Sequence, residues 1–460
     1  MITQLRLKNF KAWRDTGEIR LAPITVLFGT NSSGKTSIPQ LLLLLKQTAE
    51  SPDRQRALHF GDQRSLVDLN DLPGVLHGHD LRRSLEFDVE WTLPKKITVN
   101  DAYHRKKYTA SSLGFGATIR GEGDPIQPFV QRMGYRMDPG ADDAIGVGMK
   151  LSGSGKYSLE SSEYQIVRRK GRKWPLPAPT HFFGFPDEAV AYFQNTGFVA
   201  DLSLEMARLL DSIHYVGPLR EHPKRLYPWS GETPVHVGAK GERAVEAILA
   251  SKSRQFNLGD RQRYRTLDVL VAERLEEMGL IHDFAVKQVA KGRKEYEVRV
   301  RIGAKGSEVL LTDVGFGVSQ VLPVIVECFY VPARSVVVFE QPEIHLHPAV
   351  QSELADLFIH AIRAKEDGQD RNTQFIIESH SEHFLRRMQR RIAEGTLSTA
   401  DAALYFVHMD GGRARMEELK IDEYGRISNW PDGFFGDAIG ETEAQMDAMF
   451  QRIKGSPDAR

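Results

Sequence analysis

The chain has 460 residues, and its 61 Lys and Arg balance 61 Asp and Glu, so the formal net charge is zero. This balance excludes a strongly basic or acidic chain, and 41% hydrophobic residues exclude disorder over the whole length. The single cysteine, Cys328, excludes a disulfide framework and any zinc site built from Cys pairs.

The first residues, MITQLRLKNFKAWRD, lack the apolar core and the cleavage site of a secretory signal. The longest aliphatic run, Leu41 to Leu45, is far shorter than a membrane span. We therefore expect a cytoplasmic protein that does not insert into a membrane.

Two strand-like segments, Thr3 to Leu7 and Ile24 to Phe28, open the chain, and a Leu-rich helix is predicted from Thr36 to Gln47. The loop between the second strand and this helix is GTNSSGKT, which fits the GxxxxGK[ST] phosphate-binding motif in its required context. In such a loop, backbone N–H groups and the helix N-terminus face the phosphates of a nucleotide. The predicted ATP-binding residues are Gly29, Asn31, Ser32, Ser33, Gly34, Lys35, Thr36 and Ser37. Among these, Lys35 would reach the β- and γ-phosphates, and the Thr36 hydroxyl would bind Mg²⁺.

The middle of the chain predicts β structure followed by helices. Short alternating stretches from Leu85 to Arg169 favour antiparallel strands. A helix is expected from Glu188 to His214, before a Pro-rich segment that contains VGPLRE. Further along, the patterns predict helices at Glu242–Ala250 and Leu267–Met278 and strands at Phe284–Val289 and Tyr296–Ile302.

The last third alternates between strands and helices, which is typical of a largely parallel sheet. The predicted strands are Ser335–Phe339, Thr373–Glu378 and Ala403–Val407, and the predicted helices are Ala349–Arg363 and Glu382–Ile392. The first of these strands runs into the acidic sequence Glu340-Gln341-Pro342-Glu343, as expected at the ligand-binding edge of a parallel sheet.

The phosphate-binding loop, FEQPE, HLHP at His345–Pro348 and IIESHS around His380 together resemble the ABC-type ATPase heads of the SMC, RecF and OLD-like group. The resemblance implies that Glu340 holds the hydration shell of Mg²⁺. It also implies that residues 345–348 signal across a dimer and that His380 is the switch histidine at the γ-phosphate.

Gln341 departs from the family pattern, because that position commonly carries a catalytic glutamate. An amide cannot take a proton from water, although it can orient a water molecule. Three alternatives follow: slow ATP hydrolysis with Gln341 positioning water, hydrolysis with Glu343 or His380 as the base, or a head that mainly binds ATP. The first is favoured.

The sequence LTDVGFGVSQVLP resembles the signature region of the same ATPases, without the usual LSGG wording. Its expected role is a helix N-terminus that binds the γ-phosphate held by another subunit, with Gly315, Gly317 and Ser319 acting in trans. One chain has one such turn and one phosphate-binding loop, so a complete site needs two chains. We expect a homodimer or a higher even-numbered homo-oligomer.

The predicted fold class is α/β: a P-loop NTPase of ABC-head type with a mixed sheet, an antiparallel β subdomain and an α+β middle insertion. No heptad run supports a long coiled coil. The expected division is 1–110 for the N-terminal half of the head, 111–300 for the inserted region, 301–415 for the C-terminal half and 416–460 for the tail.

The wording DVGFGVSQVLP, EQPEIHLHP, VGPLRE and IDEYGRISNWPDGFF resembles a bacterial subgroup of stand-alone AAA/ABC ATPases with a C-terminal domain of unknown function, many of them linked to anti-phage systems. The resemblance implies an ATPase that, bound to ATP and Mg²⁺, acts as a switch on a separate effector, a nuclease or a toxin. The alternative is a RecF-like repair or recombination ATPase that clamps DNA. Contact with nucleic acid is left open by two basic runs, one at Arg168, Arg169, Lys170, Arg172 and Lys173 and the other at Arg386, Arg387, Arg390 and Arg391.

Overall fold

The computed structural model describes residues 1–101, 103, 105–140, 144–171, 173–259, 263–431, 434, 445–446 and 448–449. Its strands, in chain order, are β1 (Ile2–Phe10), β2 (Trp13–Asp15), β3 (Ile19–Arg20), β4 (Ile24–Gly29), β5 (Leu85–Asp101), β6 (Lys106–Glu122), β7 (Gln127–Met137), β8 (Gly146–Leu151), β9 (Tyr157–Ser162), β10 (Ile213–Val216), β11 (Tyr227–Pro228), β12 (Phe256–Asn257), β13 (Asp283–Gln288), β14 (Glu295–Arg301), β15 (Glu308–Leu310), β16 (Val336–Glu340), β17 (Lys365–Glu366), β18 (Gln369–Asp370), β19 (Gln374–Glu378), β20 (Ala402–Asp410) and β21 (Arg413–Glu418).

The α-helices are α1 (Ser37–Ala49), α2 (Leu72–Val75), α3 (Asp187–Ala191), α4 (Phe198–Asp211), α5 (Ala244–Ala250), α6 (Leu267–Glu277), α7 (Phe316–Tyr330), α8 (Pro348–Arg363) and α9 (Glu382–Ala393). Short 3₁₀ turns lie at His77–His79, Leu311–Asp313 and Thr399–Asp401.

The sheet that carries the phosphate-binding loop has the order β10-β16-β19-β4-β20-β21. Its first five strands are parallel, and β21 pairs with β20 in the antiparallel direction. Alternate residues of these strands enter two different cores: Val336 and Val338 pack on one side, and Val337 and Phe339 pack on the other. Burial on both faces explains why these strands are almost uninterrupted apolar runs.

The second large sheet is antiparallel and has the order β2-β1-β5-β6-β7-β8-β9, with β3 added beside β1. One core fills the space between this sheet, α1, α4 and one face of the parallel sheet. The other core joins the opposite face of the parallel sheet to helices α5 to α9. Two small antiparallel sheets, β11-β14-β13 with β15 and β12-β17-β18, complete the described strands.

The predicted fold class is confirmed in its architecture, with a mixed α/β sheet, a separate antiparallel sheet and no described helix longer than the 16 residues of α8. The predicted strands and helices of the last third are present with shifts of a few residues at their ends. No helix in the described ranges is both long and apolar enough to cross a membrane. The expected division into four segments stays a prediction.

The single helix expected from Glu188 to His214 is wrong. The segment forms two helices, α3 and α4, and His214 lies in strand β10. Between the helices, the Asn195 side chain bonds the backbone of Val167 and the Thr196 hydroxyl bonds the carbonyl of Ala189. These polar side chains satisfy backbone groups outside the helical pattern and so interrupt the helix.

Candidate active site

The phosphate-binding loop runs from the end of β4 to the start of α1, and both of its glycines have positive φ angles. Gly29 has φ +145°, and a Cβ atom there would lie 1.9 Å from the carbonyl oxygen of Val407 on β20. Gly34 has φ +96°, and its carbonyl accepts a hydrogen bond from Trp13 Nε1 at 2.9 Å. The loop is therefore fixed by both large sheets.

Lys35 is buried in this loop, with 3% of its surface exposed. Its Nζ donates to the carbonyl oxygens of Gly29 at 3.1 Å and Thr30 at 2.7 Å. Burial lowers the pKa of Lys35, while Glu378 and Glu343 act in the opposite direction. The ammonium group thus lies inside the loop, where a phosphate would replace backbone carbonyls as its partner.

The other predicted loop residues differ in their exposure. Ser33 is fully buried, and its hydroxyl has no hydrogen-bond partner. Asn31 and Ser32 are exposed at the tip of the loop, and Ser37 is buried in the first turn of α1. Because buried hydroxyls are normally satisfied, the orphaned Ser33 group fits a loop shaped to receive an anion.

Two glutamates end neighbouring strands beside the loop. Glu340 at the end of β16 lies opposite Glu378 at the end of β19, and Glu340 Oε2 accepts a hydrogen bond from the Tyr215 hydroxyl at 2.7 Å. Glu378 Oε1 accepts from the Thr36 hydroxyl at 3.0 Å. Burial raises the pKa of Glu378 to about 7, and the Glu340 carboxylate adds to this effect, while the Thr36 hydrogen bond and Lys35 oppose it. The carboxylate that contacts Thr36 is thus Glu378.

Sequence reasoning did not select Glu378 or Tyr215. Glu378 carries the same signal as Glu340, an acid at the end of an apolar strand, and directly precedes Ser379 and His380. Tyr215 has no comparable signal, since 125 positions separate it from its partner.

The segment after Glu340 is held in an unusual backbone conformation. Gln341 has φ +45°, and its N–H donates to the carbonyl of Glu378 at 2.9 Å. Arg220, of which 6% is exposed, donates to the carbonyls of Gln341 at 3.3 Å and Pro342 at 3.4 Å. A non-glycine residue in the left-handed region is typical of sites where surrounding contacts maintain local strain.

Glu343 and His380 are joined through the backbone. Glu343 Oε1 accepts from the His380 N–H at 2.6 Å, and its Oε2 is buried without a partner. Burial raises the pKa of Glu343, whereas burial and the nearby Lys35 lower the pKa of the His380 imidazole. Glu343 therefore fixes the backbone of the segment after β19 that carries His380.

The signature-like turn forms the start of α7. Gly315 is the N-cap residue, it is exposed, and no side chain caps the helix. Phe316, 40% exposed, packs its ring against His345 and His222, with centroid distances of 5.3 Å to each. Gly317 lies beside the carbonyl oxygen of His345, which a Cβ atom would meet at 3.9 Å. These contacts join the turn to the loop at residues 345–348.

Ser319 is less available than the two glycines. It is buried, and its hydroxyl donates to the carbonyl of Phe316 at 2.7 Å within its own helix. In this conformation Ser319 does not present its hydroxyl at the exposed turn.

The basic run on α9 is ion-paired within the described part of the chain. Arg387 and Arg391 both bind Asp356 of α8, and Arg386 and Arg390 pair with Glu382 and Glu394 along their own helix. In the other run, Arg168 and Arg169 donate to the backbone carbonyls of Trp174 and Phe193, and Arg172 lies outside the described residues. The α9 arginines are thus neutralised by neighbouring acids.

No group of three or more His, Cys, Asp or Glu side chains among the described residues is arranged as a metal site. Mg²⁺ usually keeps several waters and takes only one or two protein carboxylates together with substrate phosphates. The Thr36 hydroxyl and the Glu378 carboxylate, whose Oε2 has no hydrogen-bond partner, fit a site of this kind. They do not fit a site in which protein groups supply every ligand.

The family model described as AAA ATPase domain matches residues 1–119 and 255–385, which together exceed half of the chain. The chain belongs to the AAA ATPase domain family. A second model, described as protein of unknown function (DUF3696), matches residues 397–445. The sequence resemblance predicted an ATPase domain followed by a C-terminal region of unknown function, and these two matches confirm that arrangement. The AAA ATPase domain implies ATP as ligand and ATP hydrolysis as the activity, on the predicted P-loop fold.

Solved structures similar to this AAA ATPase domain protein include three SMC heads. An SMC head bound to the C-winged helix domain of ScpA has 10% identity and a TM-score of 0.42, with 92% of this chain and 98% of that chain covered. The SMC head domain from Thermotoga maritima has 10% identity and a TM-score of 0.38, covering 91% and 99%. A third, an Smc head with an extended coiled coil bound to the C-terminal domain of ScpA derived from Pyrococcus furiosus, has 11% identity and a TM-score of 0.37, covering 91% and 96%. No curated protein matches the chain.

Proposed function

We propose that this protein is an ATP-hydrolysing switch that closes as a homodimer around two ATP molecules and thereby controls a separate effector protein. The observation that carries the proposal is the loop with buried Lys35 and orphaned Ser33, placed directly beside the strand-end glutamates. The effector, a nuclease or a toxin, and a role in anti-phage defence rest on the family resemblance alone.

In this proposal, Lys35 and the loop N–H groups bind the phosphates of ATP, and Thr36 with the neighbouring carboxylates holds Mg²⁺. Bound Mg²⁺ would neutralise phosphate charge and orient the terminal phosphate. The family resemblance assigns His380 to the γ-phosphate end of the site, and Glu343 holds its backbone N–H. Gln341 orients the attacking water, and hydrolysis is slow because no carboxylate occupies that position.

Dimerisation is supported by the uncapped start of α7. The first N–H groups of this 15-residue helix lack a side-chain partner at Gly315, and the helix dipole favours an anion there. The adjacent exposed Phe316 gives the same surface an apolar contact. A γ-phosphate held by a second chain is the anion that the proposal assigns to this turn.

The central test compares the parent with Lys35→Ala in phosphate release and in equilibrium binding of ATP. We expect Lys35→Ala to lose both. Retained nucleotide affinity in this variant would show that the loop is not the binding site.

The dimer is tested separately at Gly315, where an added side chain meets no heavy atom within 4 Å. Gly315→Asp places a carboxylate at the helix N-terminus, which stabilises the helix itself and repels a γ-phosphate from a second chain. We expect normal binding of ATP to the monomer and loss of ATP-dependent dimers in analytical ultracentrifugation. Gly315→Ala is the matched control and should still dimerise. Equal dimerisation of both variants would argue against the trans role of this turn.

The arginines of α9 pair with neighbouring acids and so give no support to the alternative function, a clamp on DNA. An increase in DNA affinity with ATP, falling steeply with salt, would reinstate it.

A further inference from the structure

The placement of Glu378 in the parallel sheet brings it closer to the phosphate-binding loop than Glu340. The strand order is β16-β19-β4, so β19 lies directly beside the strand that ends in Gly29, and Glu378 pairs in register with Leu27. Glu340 is one strand further away. Neighbouring strands are about 4.8 Å apart, so the backbone of Glu340 starts roughly 10 Å from that of β4.

The two carboxylates, of Glu340 and Glu378, also have hydrogen-bond partners on opposite sides. Tyr215, which binds Glu340, lies on β10, and β10 is on the far side of β16 from the loop. Glu378 instead accepts the hydrogen bond of Thr36, the residue that offers its hydroxyl to Mg²⁺ in this class of site. The carboxylate that contacts the Thr36 hydroxyl is therefore that of Glu378, at the end of β19.

Glu378 has an unused oxygen that faces no protein partner. It is 4% exposed, and Oε2 forms no hydrogen bond. A buried unsatisfied carboxylate oxygen carries a large desolvation cost, so a ligand that completes it is favoured. Lys35 does not complete it, because Nζ donates to the carbonyls of Gly29 and Thr30.

Carboxylates gather at this end of the parallel sheet, where Glu340 and Glu378 end neighbouring strands. The nearby buried side chains Lys35 and Arg220 donate to backbone carbonyls, and neither forms a hydrogen bond with these two carboxylates. A divalent ion at the strand ends would supply a positive partner for the free oxygen of Glu378.

We propose that Glu378 is a protein ligand of the Mg²⁺ site, binding the ion or its inner water together with Thr36, while Glu340 acts from the outer side. The inference rests on the proposed ATPase function and extends it. It assigns the main carboxylate ligand of Mg²⁺ to Glu378 at the end of β19, where the family resemblance implied Glu340 at the end of β16. Waters and ATP phosphates complete the coordination of the ion.

The test uses Mn²⁺ as a paramagnetic probe for the full chain with ADP, which avoids turnover. Free and bound Mn²⁺ are counted by electron paramagnetic resonance. Glu378→Gln keeps the shape and the hydrogen bond from Thr36, and we expect it to weaken Mn²⁺ binding by about 10- to 100-fold. Binding of ADP without metal should be unchanged.

The matched control is Glu327→Gln, since Glu327 is another buried glutamate with one unpartnered oxygen, located on α7 and hydrogen-bonded to the Val237 N–H. This variant should bind Mn²⁺ as the parent does. Parental Mn²⁺ affinity in Glu378→Gln, combined with weak binding in Glu340→Gln, would overturn the proposal. If Glu378→Gln does not fold, Glu378→Asp is measured, and a parental affinity and spectrum in that variant would overturn it as well.

The two proposals fail in different ways. A parent that binds Mn²⁺ with ADP through Glu378 but releases no phosphate from ATP contradicts the proposed function and leaves the metal assignment standing. A parent that hydrolyses ATP while Glu378→Gln keeps its Mn²⁺ affinity contradicts the metal assignment alone.

Discussion

Gly29 offers a sharp test of how the phosphate-binding loop is built, because Gly29→Ala adds one methyl group where the backbone leaves no room. The added Cβ would lie 1.9 Å from the carbonyl oxygen of Val407, and real Cβ atoms essentially never approach closer than 3.0 Å. The loop or strand β20 must therefore move by about 1.1 Å. Residue 29 also has φ +145°, which L-residues rarely adopt.

The displacement and the strained backbone of Gly29→Ala affect the rate of hydrolysis and the stability, respectively. A displacement of about 1 Å at a reacting group lowers the rate by about 10²-fold, so we expect at least this loss in kcat/KM for ATP. The strained backbone costs about 1–3 kcal/mol, and weakening one hydrogen bond of the β4–β20 pairing costs about 1 kcal/mol more. The free energy of unfolding should therefore fall by about 2–4 kcal/mol.

The assays are phosphate release at several ATP concentrations and urea unfolding of the same preparations. Gly17→Ala is the control, since Gly17 has φ +67° but a Cβ there meets no heavy atom within 4 Å. It should lose only about 1–2 kcal/mol of stability and keep its kcat. If Gly29→Ala matched Gly17→Ala in both measurements, the steric argument for the loop would be refuted.

Three further predictions concern other parts of the molecule. Gln341→Glu supplies the missing carboxylate, and we expect kcat to rise by about 10²-fold in steady-state phosphate release. Phe434→Ala removes a buried ring that lies 5.9 Å from Phe28 and 4.6 Å from Phe406, and we expect the unfolding free energy to fall by about 3–5 kcal/mol. Burial raises the pKa of Glu327 to about 8, so its folded form binds a proton that the unfolded form releases above its ordinary pKa near 4.5. Stability therefore falls as pH rises between these values, and Glu327→Gln should remove part of this pH dependence in thermal melts.

Each of these three has an outcome that contradicts it. A Gln341→Glu variant no faster than the parent removes the reason for assigning water orientation to this residue. The tail prediction is controlled by Tyr424→Ala, since Tyr424 is 70% exposed and should change stability by less than about 0.5 kcal/mol. Equal losses for Phe434→Ala and Tyr424→Ala would contradict the packing argument. Parallel pH–stability curves for the parent and Glu327→Gln would show that Glu327 does not hold its proton.

Local patterns predicted those parts of the site that are continuous in sequence. GTNSSGKT predicted the loop, because the motif, the preceding apolar strand and the following helix lie within about 30 residues of one another. The strand–helix alternation from β16 to β20 was predictable for the same reason: each strand is an apolar run bounded by turns. The start of α7 at the signature-like glycines was also visible in the sequence.

Contacts between distant segments were not predictable from one sequence. Thr36 and Glu378 are 342 positions apart and meet only because β19 inserts between β16 and β4. The sequence left open whether the basic run on α9 contacts nucleic acid. Nothing in that run indicates that Asp356 of α8 pairs with Arg387 and Arg391. Strand order and helix packing decide these points, and neither follows from local spacing.

The position of β4 also constrains how the chain acquires its fold during synthesis. β4 is made within the first 29 residues but lies between β19 and β20, whose residues are 374–378 and 402–410. At about 5–20 residues per second, the ribosome needs roughly 20 to 75 s to deliver both neighbours. The antiparallel sheet, in contrast, is complete by residue 162 apart from its covering helices. We expect β4 in the nascent chain to stay unpaired, with its apolar side chains against this early sheet. The strand that carries the ATP-binding loop is then one of the last to reach its native pairing.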